Sequence, residues 1–254
     1  MDSISLQEEL IMHRFYADPA RSNDSEFFLS ADDAHHAVNV LRLHPGEKTE
    51  IFFRGDRWLS ELTSCGQDII LCPKVKLAST EPSLSVTLFQ GLPKGDKMEW
   101  IVQKAVELGV FRIVPVSFSR CVVKLNHVDT ERKCERWQKI AREAGKQSGR
   151  CFVPEVSAPV PLSSISAYFS QCDRIVVPWE ECHEGGPKSF SERNPSLSSL
   201  GIVIGPEGGI SGEELSFLIS LGCEPVTLGK RILRTETAAL AAVSVFSGLY
   251  GEME

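Results

Sequence analysis

Gly201-Ile202-Val203-Ile204-Gly205-Pro206-Glu207-Gly208-Gly209-Ile210-Ser211-Gly212-Glu213-Glu214 is the stretch on which the fold turns. The short, β-branched apolar run 201–204 reads as a strand buried on both faces. Ser211, with Glu214 three residues on, is the pairing that caps a helix start. Between strand and helix lies a loop holding three glycines. A strand that enters a helix in this way is the repeating unit of a parallel sheet, and ligands of such sheets bind at the carboxyl ends of the strands. Glycines let the backbone approach a ligand closely and present its N–H groups. The spacing is not G-x-G-x-x-G, so the dinucleotide fingerprint is absent. Two readings stand: a site for a nucleoside-type ligand, or a tight turn with no ligand.

A second loop of the same kind stands some twenty residues on: Leu228-Gly229-Lys230-Arg231-Ile232-Leu233-Arg234-Thr235-Glu236-Thr237. It follows a short strand at 225–228, opens a helix at Thr235–Leu249, and brings three cations and a carboxylate to a strand end. Two neighbouring loops of this sort can form two walls of one pocket. The last helix is apolar on nearly every side from Ala238 onward, so it is expected to be buried all round, in part by a second subunit. Strands are also predicted at 84–90, 111–117 and Arg174–Pro178, and helices at 96–108, 129–145 and 211–221. Asp96 with Glu99 reads as a capping box. The alternation predicts a parallel sheet with helices on both faces.

The N-terminal third has a different rhythm. Runs at 49–54, 57–63 and 68–76 are β-rich and separated by Gly55-Asp56 and Gly66-Gln67, two candidate hairpin turns. Short strands with short turns predict a small barrel. A helix at 31–41, capped by Ser30 or Asp32, precedes them. The polar stretch 76–83 contains Pro82 and marks a boundary, giving domains at 1–78 and 79–254. Segments 179–199 and 157–166 are polar and read as mobile, the first being longer than a passive connection usually is.

Bulk properties exclude several classes. The net charge is −7, yet residues 94–150 hold 13 basic and 7 acidic residues. That concentration fits an RNA-facing surface, and equally a solvated helix face. The stretch 238–250 is too short to span a membrane. Met1–Leu10 has neither the positive start nor the apolar run of a signal peptide, so a cytoplasmic protein is expected. Eight cysteines contain no C-x-x-C pair, which reads as scattered reduced thiols. The six histidines lack metal-ligand spacing, so no metal is expected. Gly145-Lys146-Gln147-Ser148 imitates the end of a phosphate loop, but position 140 is isoleucine and the motif closes a helix instead of opening one.

Taken together these residues resemble the RsmE-type 16S rRNA (uracil-N3) methyltransferases of the SPOUT superfamily. The resemblance is carried by His13-Arg14-Phe15-Tyr16, by 36–42 with Pro45-Gly46-Glu47, by Lys94-Gly95-Asp96-Lys97-Met98-Glu99, and by 103–110. It continues through 120–124, 137–150, 204–209 and 228–240, so it runs nearly end to end. The stretch before Gln147 and the 179–199 loop depart from the pattern. The resemblance implies a C-terminal domain with a trefoil knot, a PUA-like N-terminal barrel and a homodimer with active sites at the interface. It implies S-adenosylmethionine (SAM) as methyl donor and one uridine in the decoding region of 16S rRNA, in the small ribosomal subunit, as target. Carried over by motif, SAM contacts fall on Ile204, Gly205, Glu207, Gly208 and Gly209, and on Leu228, Gly229, Leu233, Thr235 and Thr237. The RNA face takes Arg14, Arg42, Lys94, Lys97, Arg120, Lys124, Gln147 and Arg150.

Methylating uridine N3 needs the anion of a group that carries a proton. Arg234, in the loop beside the donor, is the candidate to stabilise that anion, and Glu236 the candidate to accept the proton or to orient Arg234. The competing reading makes Arg234 and Glu236 a structural salt bridge. Two other functions compete for the whole chain: a non-catalytic ribosome-assembly factor and a ribose 2′-O-methyltransferase on the same scaffold.

Overall fold

A computed structural model describes residues 12–65, 68–124 and 126–253. The chain forms two compact units. One takes the chain up to Glu81 together with Gly145–Val153, the other Pro82–Ala144 and Pro154–Glu254. Gly66-Gln67 and Met1–Leu10, both read above, lie outside the described residues.

The first unit is built on β1 (Arg14–Tyr16), β2 (Phe27–Phe28), β3 (Lys48–Phe53), β4 (Asp56–Cys65) and β5 (Ile69–Leu77). The strand order is β1-β3-β4-β5-β2. β1 and β3 are parallel and the other pairs antiparallel. The two outer strands meet: Ala17 bridges Leu29, and the Asp18 N–H donates to the Phe28 carbonyl at 2.7 Å. The sheet therefore curls into the expected small barrel and pairs its own edges. Phe15, Phe27, Ile51, Phe53, Leu62 and Leu71 fill it. The β3–β4 turn is Arg54-Gly55, not Gly55-Asp56. Arg54 and Gly55 have φ of 52° and 84°, as a two-residue type I′ turn demands, and Asp56 already pairs with Phe53 in the ladder. Helix α1 (Ala31–His35) is capped by Ser30, whose side chain accepts the Asp33 N–H, and it passes into a π-helical turn at His36–Val40.

The second unit carries β6 (Ser85–Gly91), β7 (Arg112–Ser117), β8 (Glu155–Val156), β9 (Val160–Pro161), β10 (Arg174–Pro178), β11 (Ser199–Ile204) and β12 (Glu224–Val226). The order is β12-β10-β11-β6-β7-β8, with β9 also on β7, and every pair is parallel. Flanking helices are α2 (Lys97–Glu107), α3 (His127–Ser148, its last turn counted with the first unit), α4 (Pro187–Arg193), α5 (Gly212–Ser220) and α6 (Thr235–Leu249). A 3-10 helix spans Leu162–Gln171. Phe89, Val114, Val177, Val203 and Leu218 form the core of the sheet. Because all strands run one way, β10, β11 and β12 end on the same edge.

Several expectations change here. Asp96 makes no cap: its backbone sits at φ −93°, ψ 8° and not in the extended region, and Glu99 pairs instead with Arg136 at 2.7 Å. The 179–199 segment contains α4, started by Pro187 and anchored by Phe190, which is buried edge-on against Phe246 at 5.6 Å. The 157–166 segment holds β9 and the start of the 3-10 helix, with Ile165 buried. On helix α6, Val245 and Leu249 are 44% and 40% exposed in the single chain, which leaves them as the part of that helix expected to lie under a second subunit.

Candidate active site

A cavity of about 380 Å³ opens at the shared strand edge of the second unit. That is ample for a nucleoside-sized ligand. The two glycine loops both line it and meet each other, although their strands are not adjacent. β10 lies between β11 and β12, so the residues after β10, Trp179 and Glu180, supply a third wall. This wall is tied to β12 at both ends: the Trp179 N–H donates to the Val226 carbonyl and the Thr227 N–H to the Gly185 carbonyl, each at 3.1 Å.

The first loop packs closely because side chains are absent. A Cβ at Gly205 would stand 2.7 Å from Ile210, and one at Gly91, the last residue of β6, only 2.5 Å from the Pro206 nitrogen. Gly209 has φ +72°, a conformation that costs glycine nothing. Capping is as expected: Ser211 and Glu214 form a full capping box, and Glu214 also accepts the Ser119 N–H at 2.7 Å. Partial burial pushes the Glu214 carboxyl up, but these N–H donors outweigh it and hold it below the usual range.

The second loop is irregular, and the backbone groups of residues 230–233 have no partner among the described residues. Residues 230–232 are exposed, so water or a ligand in the cavity can meet these groups. The two loops are joined by a buried relay. Gln90 donates to the Thr235 hydroxyl at 2.9 Å, and that hydroxyl donates to the Gly205 carbonyl at 2.6 Å.

Ile204, Gly205, Glu207, Gly209, Leu228, Gly229, Leu233 and Thr235 all line the cavity, as does Arg234. Gly208, Glu236 and Thr237 do not. Gly208 instead packs on Arg120, whose guanidinium donates to the Gly208 carbonyl at 3.1 Å. Glu236 does not pair with Arg234. Its carboxylate lies 3.3 Å from Lys97 Nζ, and the Arg234 side chain has no hydrogen bond or ion pair among the described residues. The structural salt bridge between the two is therefore absent.

Lys97, read as an RNA contact, lines this cavity and also bonds Glu207 at 3.0 Å. Glu207, then Glu236, hold its ammonium above the ordinary lysine value, against some desolvation. Desolvation pushes the Glu207 carboxyl up, but Lys97 and backbone N–H groups outweigh it and hold the carboxyl low.

The other RNA candidates scatter. Lys94, Arg120 and Lys124 are exposed in the second unit, and Arg42 and Gln147 in the first. Arg14 is half-buried, with Glu50 at 2.9 Å and the Gln147 carbonyl at 2.7 Å. Arg57 bonds the same Glu50. Arg150 is 3% exposed and fixed on Glu81 at 2.8 Å, so its side chain is withdrawn from any RNA surface. Sequence reasoning missed Gly91, Gln90, Trp179 and Glu180. Only Gly91 carried a signal, a glycine closing a predicted strand just before a Pro-Lys-Gly turn. Among the described residues no group of three or more His, Cys, Asp or Glu is placed to hold a metal ion, and no helix is long and apolar enough to cross a membrane.

Comparison with known proteins follows the same lines. Residues 80–247 match the family model of the RNA methyltransferase domain, and residues 29–71 that of the RNA methyltransferase PUA domain. The chain is 37% identical over 246 residues to ribosomal RNA small subunit methyltransferase E of Bacillus subtilis, covering 93% of this chain and 96% of that one. The protein of that name from Aquifex aeolicus is 31% identical over 237 residues, covering 92% and 98%. A crystal structure of a ribosomal RNA small subunit methyltransferase E from Neisseria gonorrhoeae, bound to S-adenosyl methionine, superposes with a TM-score of 0.83 at 32% identity, covering 96% of this chain and all of that one.

Proposed function

We propose, since this chain belongs to the RNA methyltransferase family of the ribosomal RNA small subunit methyltransferases E, that it methylates 16S rRNA with SAM as donor. The methyl goes to N3 of a uridine in the decoding region of the small subunit, giving 3-methyluridine. The observation that carries this reading is the cavity itself. Both glycine loops line it, and the Arg234 guanidinium, which has no ion pair among the described residues, stands on its wall.

The residues fit the donor. Gly205 and Gly209 keep the first loop packed on Ile210 and Glu180, where a Cβ would collide, and Leu228, Gly229 and Leu233 offer backbone and apolar surface to the donor's adenosyl part. Gly208 and Thr237 act at one remove. SAM supplies a methyl group already activated on a sulfonium, so the protein's task is alignment. Arg234 stabilises the uracil anion as N3 loses its proton. Glu236 takes that proton, directly or through water. N3 lies on the pairing edge of the base, so the uridine must be unpaired or turned out to reach the cavity.

The barrel of residues 1–78 serves as the PUA-like RNA-binding domain, and 79–254 as the SPOUT domain with its knot. The bond from Thr235 to Gly205, which seats the last loop on the first, is the contact such a knot would lock. Arg42, Lys94, Arg120, Lys124 and Gln147 remain as RNA contacts. The enzyme works in the cytoplasm as a homodimer. Val245 and Leu249 on α6, and Ile232, 86% exposed on the cavity wall, are the apolar surface a second subunit would cover.

The test is binding followed by transfer. Calorimetry with SAM alone should show one site per chain, and methyl-labelled SAM should label 16S rRNA in small subunits that lack the modification. Absence of both binding and label would favour the assembly-factor reading.

A further inference from the structure

Lys97 opens helix α2, yet it acts on two loops far away in sequence. Its ammonium is 3.0 Å from Glu207 Oε1 on the first glycine loop and 3.3 Å from Glu236 Oε2 in the first turn of α6. The Lys94 N–H reaches the same Glu207 oxygen at 3.1 Å. One cation thus sits between two carboxylates on the wall of the cavity. The contact to Glu207 is a charge-assisted hydrogen bond, short and directional, and the contact to Glu236 is an ion pair. Without the cation, the two carboxylates would face one another uncompensated, and like charges at such range repel. The relay from Gln90 through Thr235 to Gly205 ties the loops at their buried end. Lys97 ties them a second time, on the wall of the cavity.

We propose that Lys97 is a positioning residue of the methyl-donor site, its ammonium clamping the first loop to the last helix and so setting the gap that holds SAM. This rests on the reading of the cavity as the SAM site. It differs from the RNA contact expected of Lys97. An ammonium shared by two carboxylates has little charge left for a phosphate, whose attraction is what binds RNA backbone.

Calorimetry with SAM in the absence of RNA separates the two roles. Lys97→Met keeps the aliphatic stem and removes the charge. The clamp predicts that SAM Kd rises about tenfold, with KM for small subunits changed less than about twofold. Lys97→Arg should recover most of the affinity. Glu207→Gln should lose a similar amount, and Lys97→Met with Glu207→Gln should lose no more than the worse single change, because both remove one interaction. Unchanged SAM affinity in Lys97→Met, or a loss confined to subunit KM, overturns the clamp. Should Lys97→Met fail to fold in a thermal melt, Glu207→Gln decides on the same terms. If the unaltered protein binds no SAM, the donor-site reading beneath the proposal falls first, before any variant is compared.

Discussion

Gly91→Ala is the sharpest perturbation of the site. Gly91 ends β6 directly beneath the first loop, and a methyl group there would lie 2.5 Å from the Pro206 nitrogen and 2.8 Å from the Gly205 carbonyl carbon and Pro206 Cδ. These are backbone and ring atoms, so no rotamer relieves the clash. Restoring the closest approach to the 3.4 Å of ordinary contact moves the loop by about 0.9 Å, the difference between the two distances. The shift passes directly to Thr235, which is bonded to Gly205 at 2.6 Å, and so to the start of α6 beside Arg234. Misplacing aligned groups by about 1 Å costs on the order of 100-fold in rate, and overpacking a filled site costs about 1–3 kcal/mol of stability. The assay is single-turnover methyl transfer to unmodified small subunits, with SAM calorimetry and a thermal melt beside it. A folded protein with a lower Tm, weaker SAM binding and about 100-fold slower transfer is expected. Gly212→Ala is the control: its added Cβ meets nothing within 4 Å, and its φ is not positive. Gly91→Ala with unaltered transfer and SAM affinity would refute the claim that the placement of this loop limits the reaction.

Arg234→Lys should lower kcat by about 100-fold or more while leaving SAM Kd near its starting value, because a point charge cannot replace a planar fork aimed at a developing anion; full turnover would remove Arg234 from the chemistry. Thr235→Val leaves the Gly205 carbonyl without its donor and takes from the buried Gln90 amide one of its two acceptors, the Gly91 carbonyl remaining, and chemical denaturation should show a loss of about 1–3 kcal/mol. The pH dependence follows from the ion cluster. Glu207, held low, contributes above its unfolded value and loses that contribution as pH falls through its folded one. Lys97, held high, contributes below its unfolded value and loses that contribution as pH rises through its folded one. Both groups therefore stay ionised from about pH 6 to 9, and folding stability across that range should show no step from this pair; a midpoint near 7 that Glu207→Gln abolishes would contradict the cluster.

What could be read from the chain was local, and what could not was distant. The strand ending at Ile204 and the Ser211/Glu214 cap are written within a dozen residues, and both form as expected. The barrel strands were equally legible, but their first turn slipped by one residue because Arg54 adopts a positive φ more often seen in glycine or asparagine. Asp96 had the right spacing for a cap and the wrong backbone, and its partner Glu99 was taken by Arg136, 37 residues on. The 179–199 segment looked structureless because its anchor is a single aromatic, Phe190, whose partner Phe246 is far along the chain. The resemblance puts Arg150 on the RNA face, and nothing near it in sequence announces its partner Glu81. It puts Lys97 there too, and both carboxylates that Lys97 meets lie more than a hundred residues downstream.

The central claim is a reaction at one atom, and identifying its product tests it most directly. Small ribosomal subunits lacking uridine-N3 methylation would be incubated with the protein and methyl-labelled SAM, their rRNA digested, and the labelled nucleoside identified by mass and chromatography. The account predicts label in 3-methyluridine from 16S rRNA. Label in a ribose-methylated nucleoside would contradict it, leaving the fold in place and the mechanism wrong.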